Sequence, residues 1–127
     1  MKAFESLNQP PLSPPGWLFP IVWTILYILM GIASYLVFFT ETEENKFRAL
    51  AVYVLQLIVN FFWPIFFFGF ELYFFAFLWL LLLWILILWT IREFRKINEM
   101  AAVLLLPYLL WVTFAGYLNF GIWWLNR

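Results

Sequence analysis

The chain has 127 residues, of which 67% are apolar, 25% are aromatic and only 11% are charged. Soluble domains contain about 45–50% apolar and about 25% charged residues, so this composition excludes soluble globular and disordered proteins. Seven basic and seven acidic residues give zero net charge, which leaves no basic field for nucleic acid. The absence of Cys and His removes the usual ligands of zinc and of haem iron.

Four charge-free stretches are long enough to cross a membrane. A helix needs about 20 residues to span about 30 Å of hydrocarbon, and the stretches cover residues 17–40, 49–70, 72–91 and 100–126. Because they are continuously apolar rather than alternating, helices are favoured over barrel strands. The sequence therefore predicts an all-α membrane protein, an antiparallel transmembrane helix bundle with four visible spans that forms one domain over residues 1–127.

The charges lie mainly in two links, at residues 41–48 and 92–99, which together hold five basic residues. The opposite side holds only Lys2 and Arg127, so the excess of positive charge predicts that both links are cytoplasmic. Both chain ends then lie outside the cell. The N-terminal end is a Pro-rich loop at residues 1–16, which precedes the first span. Either this short tail is translocated without a signal, or a span is missing upstream of it; the charge pattern alone leaves both explanations open.

The spans differ in polarity. Residues 76–89 of the third span contain almost no polar atom, so we expect that span to present most of its surface to lipid. No Asp, Glu, Lys or Arg lies inside any span, which argues against an ion-coupled transporter. Pro64 and Pro107 lie within spans, where proline kinks a helix and either shapes a cavity or tunes packing.

Three spans each carry one face of aromatic, amide and small side chains at helical spacing. These residues are Trp23 and Tyr27 on the first span, Gln56, Asn60 and Trp63 on the second, and Tyr108, Trp111, Ala115 and Asn119 on the fourth. If the faces converge, they form a pocket for a large, flat, apolar ligand with Gln56 and Asn60 as polar anchors. Amides and aromatic stripes also serve helix packing, and spacing alone leaves both interpretations open.

The order of motifs along the chain follows a known pattern. Its parts are PPLSPPGW at residues 10–17, Phe19, Trp23, Tyr27, Gly31 and Tyr35, then Tyr53, Gln56, Asn60 and Trp63, and finally Pro107, Tyr108, Trp111, Ala115, Asn119 and Asn126. Together they resemble the tryptophan-rich sensory protein family, TspO, which includes the translocator protein or peripheral-type benzodiazepine receptor. The resemblance covers essentially the whole chain.

The resemblance implies a five-helix bundle, of which the four spans are helices two to five with the first helix missing. It implies a membrane receptor or sensor that binds porphyrin or haem-type tetrapyrroles and benzodiazepine-receptor-type drugs and regulates tetrapyrrole or stress metabolism. No cofactor is required, since porphyrin or haem is the ligand. The family pocket corresponds to Trp23, Gln56, Asn60, Trp63, Trp111 and Ala115.

The chain departs from the family pattern in places, and two other functions are compatible with its sequence. Leu12 stands where many members carry Trp, which weakens one aromatic wall of the pocket. Tyr117 lacks a nearby basic residue, so sterol binding is not predicted. No catalytic residue or metal site is predicted, which leaves light-dependent porphyrin degradation as the enzymatic alternative. A small four-span transporter is the other, with Glu71 as its only candidate carboxylate. We expect a bacterial cell-membrane protein, in which Gly31, Ala33, Ala115 and Gly116 could support a homodimer.

Overall fold

The computed structural model describes residues 15–126. The predicted Pro-rich loop at residues 1–16 lies almost wholly outside the described residues, as do Lys2, Leu12 and Arg127. The elements in chain order are α1 (Leu18–Phe39), α2 (Lys46–Pro64), a π-helical turn (Ile65–Gly69), α3 (Tyr73–Ile97), α4 (Glu99–Leu104) and α5 (Leu106–Leu125).

Four helical units have the length and composition of membrane spans. They are Leu18–Phe39, Lys46–Gly69, Tyr73–Ile97 and Glu99–Leu125, the last combining α4 and α5. They pack into one bundle. Each is helical because a chain in lipid satisfies its backbone groups only as a helix or a closed barrel. The predicted all-α fold with four visible spans is confirmed.

The connection between α3 and α4 is much shorter than the sequence predicts. Residues 92–97 continue α3, so the expected link at residues 92–99 is reduced to Asn98. The Asn98 side chain caps α4, with Oδ1 accepting from the Met100 and Ala101 amides at 3.0 and 3.3 Å. Its Nδ2 donates to Thr40 Oγ1 at 3.0 Å. This bond places the α1–α2 link and the α3–α4 corner at one end of the bundle, called the charged end below.

Both intramembrane prolines interrupt helices. Pro64 ends α2, and the chain continues as the π-helical turn before Glu71 adopts a φ of 55°. A positive φ is unusual for a residue with a side chain, and it marks the reversal into α3. Pro107 lies in the first turn of α5 just after the break at Leu105, because its nitrogen cannot donate to the preceding turn.

The third span is central rather than peripheral. α3 packs against both α2 and α5, and it carries eight buried side chains compared with four on α1. The expectation that most of the α3 surface faces outward agrees with residues 76–89, of which five are buried, but the buried side of α3 forms much of the core. The two roles are compatible, since leucine packs against a helix as well as it faces lipid.

The small residues are divided between the inside and the surface of the chain. Ala33 and Ala115 are buried in the bundle, so they are used in packing within the chain. Gly31 is exposed, and a side chain built there would meet no atom within 4 Å. Both alanines belong to the same core cluster, but Ala115 also borders a cavity and Ala33 does not.

Candidate ligand-binding cavity

A cavity of about 260 Å³ lies toward the end opposite the charged end, called the aromatic end. It is open on one side and is bounded by the first half of α1, the end of α2 with its π-helical turn, and the second half of α5. The lining residues are Phe19, Pro20, Trp23, Tyr27, Asn60, Trp63, Pro64, Phe67, Phe68, Ala115, Leu118, Asn119 and Ile122.

The cavity arises from the way α1 packs. The backbone of α1 lies close to α4 and α2, but its contact with α5 is marginal at most. Aromatic rings bridge the gap between α1 and α5: Trp23 meets Tyr108 with ring centroids 6.2 Å apart, and Phe19 meets Trp111 at 5.6 Å. Bulky rings hold two helices apart without filling all the space between them, so a void remains beside them.

The walls are mainly aromatic. Trp63 stacks on Phe67 at a centroid distance of 5.1 Å and an interplanar angle of 28°, while Trp23 tilts against Tyr27 at 5.9 Å. Ring faces carry negative charge and ring edges positive charge, which favours a flat aromatic guest between them. The cavity is thus shaped and lined for an apolar, planar molecule.

A hydrogen-bonded chain of side chains joins three helices at the base of the cavity. Tyr27 donates its hydroxyl proton to Asn60 Oδ1 at 2.9 Å, and Asn60 Nδ2 donates to the Tyr108 hydroxyl oxygen at 2.6 Å. Tyr108 then donates to Gln56 Oε1 at 2.7 Å. We call Tyr27, Asn60, Tyr108 and Gln56 the polar relay. It pairs groups that would otherwise be costly in an apolar interior.

Asn119 also links helices through buried hydrogen bonds, on the α5 side of the cavity. It is 1% exposed, its Oδ1 accepts from Trp63 Nε1 at 3.0 Å, and its Nδ2 donates to the Tyr73 carbonyl at 2.8 Å. The first bond fixes the plane of the Trp63 ring, and the second ties α5 to the start of α3. The amide therefore holds an aromatic wall in place.

The structure brings six of the nine residues singled out from the sequence into the cavity wall. These are Trp23, Tyr27, Asn60, Trp63, Ala115 and Asn119. The other three lie behind it: Gln56 is 1% exposed, Tyr108 joins the two amides, and Trp111 packs against Phe19 and Phe114. Among residues 15–126, the Trp111 Nε1 proton is buried without a hydrogen-bond acceptor.

Seven wall residues are not among the nine singled out as ligand-binding from the sequence, namely Phe19, Pro20, Pro64, Phe67, Phe68, Leu118 and Ile122. Several of them follow helical spacing from residues that were found: Phe19 lies four before Trp23, Phe67 four after Trp63, and Ile122 three after Asn119. This spacing could have identified them. Being apolar, they look the same in sequence as lipid-facing residues.

Within residues 15–126, no charged side chain lines the cavity wall. The same part of the chain contains no cluster of acidic side chains able to hold a metal ion. Glu71, the carboxylate considered for a transporter, is exposed in the reversal before α3. The described wall can therefore offer ring faces, amide dipoles and the Tyr27 hydroxyl to a ligand.

These features define a class: a polytopic α-helical membrane protein with an aromatic cavity between its helices. The model of the TspO/MBR family matches residues 1–125, so the chain belongs to that family. It is 41% identical over 124 residues to the tryptophan-rich protein TspO of Chlorobaculum tepidum, a match that covers 97% of this chain and 78% of that protein.

Other relatives come from different branches of life. Protein CrtK of Rhodobacter capsulatus is 39% identical, with 97% of this chain and 78% of that protein covered. The human translocator protein is 35% identical over 125 residues, with coverage of 97% and 74%. The resemblance noted from the motifs is confirmed.

Proposed function

We propose that this protein is a membrane receptor or sensor that binds porphyrin or haem-type tetrapyrroles in the aromatic cavity. The observation that carries the proposal is the presence of both Trp23 and Trp63 in a wall that is otherwise apolar except for two amides and the Tyr27 phenol. Stacking on indole rings favours a large planar ligand over a compact or strongly polar one. Drugs of the benzodiazepine-receptor type share this planar aromatic character.

The size of the cavity sets how such a ligand enters. Its volume of about 260 Å³ lies just under the range of roughly 300–1,000 Å³ typical of small-molecule sites. A tetrapyrrole therefore inserts one edge between the rings and leaves the rest outside the described wall. Since no cation lines that wall, the carboxylates of the ligand stay at the mouth, where water or lipid headgroups solvate them.

The ligand is held without axial coordination by Cys or His, because the sequence contains neither. Stacking and the shape of the cavity then supply the affinity. Haem and metal-free protoporphyrin are expected to bind with affinities that agree within about threefold, a difference of less than about 1 kcal/mol.

Tryptophan fluorescence quenching by protoporphyrin tests the site. Trp23→Leu removes one wall and should weaken binding about tenfold, in line with the loss of one aromatic contact. Trp124→Leu is the matched control, since Trp124 lies exposed near the end of α5 and outside the cavity wall. Equal affinities of the two variants would place the ligand elsewhere.

We further propose that the charged end faces the cytoplasm of a bacterial cell, so that the cavity opens in the outer half of the membrane. Lys46, Arg48, Arg92, Arg95 and Lys96 lie in or beside the links at that end. Because the chain has no Cys, a single Cys introduced at Glu43 or at Phe70 reports the side. In intact cells a membrane-impermeant maleimide should label the Phe70 position only; labelling of the Glu43 position would reverse the orientation.

A further inference from the structure

A second feature lies along the seam where α3 meets α4 and α5, away from the aromatic cavity. Near the charged end, a depression of about 320 Å³ is lined by Ile91, Arg95, Glu99, Ala102, Val103 and Leu106. Further along the same seam, a second depression of about 400 Å³ has Trp84, Thr113 and Gly116 among its lining residues. Neither shares a residue with the cavity.

The two depressions follow one face of α3. Arg95, Ile91 and Trp84 are separated by four and seven residues, a spacing that keeps side chains on one side of a helix. At a rise of 1.5 Å per residue, Arg95 and Trp84 are about 16 Å apart along the axis. That is about half the thickness of the hydrocarbon core, which is the depth reached by the acyl chains of one leaflet.

The mouth of the first depression carries one cation and one carboxylate that are not paired with each other. Within residues 15–126 the ion pair found is Lys96 with Glu93, at 3.4 Å, and neither Arg95 nor Glu99 has a side-chain hydrogen bond or ion-pair partner. Both residues are exposed. A guanidinium is well suited to a phosphate, and a carboxylate to an ammonium group.

We propose that this groove binds one phospholipid whose headgroup carries a primary amine, with its phosphate on Arg95 and its ammonium on Glu99. One acyl chain lies over Ile91, Val103 and Leu106 and extends toward the depression beside Trp84. There the Trp84 indole is already satisfied by Thr113 Oγ1 at 2.8 Å, so the groove offers the chain an apolar path. A purely anionic headgroup would satisfy Arg95 but face repulsion from Glu99.

Native mass spectrometry of the full chain, delipidated in detergent, tests this assignment. The probes are phosphatidylethanolamine, phosphatidylcholine and phosphatidylglycerol with identical acyl chains. Phosphatidylethanolamine should be retained about fivefold better than phosphatidylglycerol, which has no cation for Glu99, the upper range for an exposed charge pair. It should also be retained better than phosphatidylcholine, whose trimethylammonium has no N–H to donate to the carboxylate. Equal retention of all three lipids by the unaltered protein would overturn the proposal.

Three substitutions sharpen the test. Arg95→Gln should lower retention of all three lipids, whereas Arg92→Gln removes the same charge from the same turn but outside the groove and should leave retention unchanged. Glu99→Gln should abolish the preference for the amine headgroup while phosphate binding persists. Equal effects of the two arginine variants, or an unchanged preference in Glu99→Gln, would refute the site; thermal unfolding followed by circular dichroism verifies that each variant is folded.

Discussion

The charged end and the aromatic end of the bundle differ in how α1 meets its neighbours. Near the charged end Ala33, Ala49 and Ala101 are completely buried, and α1 lies close to α4. Toward the aromatic end, indole and phenyl rings stand between α1 and α5, and a cavity remains. Small residues bring helices together in a membrane, whereas large rings keep them apart. The charged end therefore holds the helices at a fixed spacing, and the aromatic end keeps the cavity open.

The polar relay lies between the two ends. It uses the hydrogen-bonding groups that a ligand would otherwise approach, so its amides act on the cavity mainly by fixing rings. The two sequence-level interpretations of Gln56 and Asn60, packing and ligand site, are therefore compatible in the structure. Gln56 lies wholly within the packing, while Asn60 takes part in both the relay and the wall.

Placing a larger side chain in the packed core at the charged end should give the largest change in stability. Ala33→Leu adds three carbons where no space exists, and we expect it to lower the free energy of unfolding by about 3 kcal/mol. Unfolding in mixed detergent micelles, followed by circular dichroism, measures this loss. A change below about 0.5 kcal/mol would mean that the charged end is not tightly packed.

Breaking the polar relay should have a smaller effect. Tyr108→Phe removes the hydroxyl that joins Asn60 to Gln56, which should cost about 1–2 kcal/mol because two buried amides lose a partner. The same unfolding assay measures it. Tyr35→Phe is the matched control, since Tyr35 is exposed on α1 and outside the relay; equal losses in the two variants would contradict the relay's role.

Placing a larger side chain in the cavity at the aromatic end should leave stability nearly unchanged while weakening ligand binding. Ala115→Leu is the same substitution as at Ala33, but Ala115 borders the cavity and the new side chain can enter it. We expect less than about 1 kcal/mol of change in unfolding and roughly tenfold weaker protoporphyrin binding by fluorescence titration. Unchanged affinity together with intact folding would contradict the placement of the ligand.

The smallest effect should come from the lipid-facing surface. Gly31→Ala adds a methyl group where no atom lies within 4 Å, so helix propensity alone decides the outcome. A gain of about 0.5–1 kcal/mol in the free energy of unfolding is expected. A loss of similar size would show that Gly31 packs against something, such as a second copy of the chain.

The sequence predicted the spans well because the hydrocarbon thickness imposes a length that charge-free stretches reveal directly. It missed the helical continuation over residues 92–97, since charged residues form helices as readily as apolar ones and only the Asn98 cap marks the corner. It also missed the central place of α3. A leucine-rich helix gives no sign of which neighbour it contacts until its partners are positioned.

The site was predicted in part for a similar reason. Polar and aromatic residues stand out in an apolar chain, so six wall residues could be found from their shared faces. Phe67 and Ile122 do not stand out, and the inward position of Gln56 depends on where the Tyr108 ring lies across the bundle. Such pairings between helices are properties of the tertiary structure, which periodicity along one helix does not encode.

The break at Leu105 and Pro107 separates α5 from α4, so the far end of α5 at the cavity is sensitive to the angle between these two helices. α4 stays packed against α1, whereas α5 begins anew beyond the break, with Ile122 about 26 Å along its axis at 1.5 Å per residue. A tilt of roughly 5° about this point would move Ile122 by about 2 Å, a large fraction of the thickness of an aromatic ring. A small change in the tilt of α5 would therefore change the width of the cavity, while the helix spacing at the charged end would stay the same.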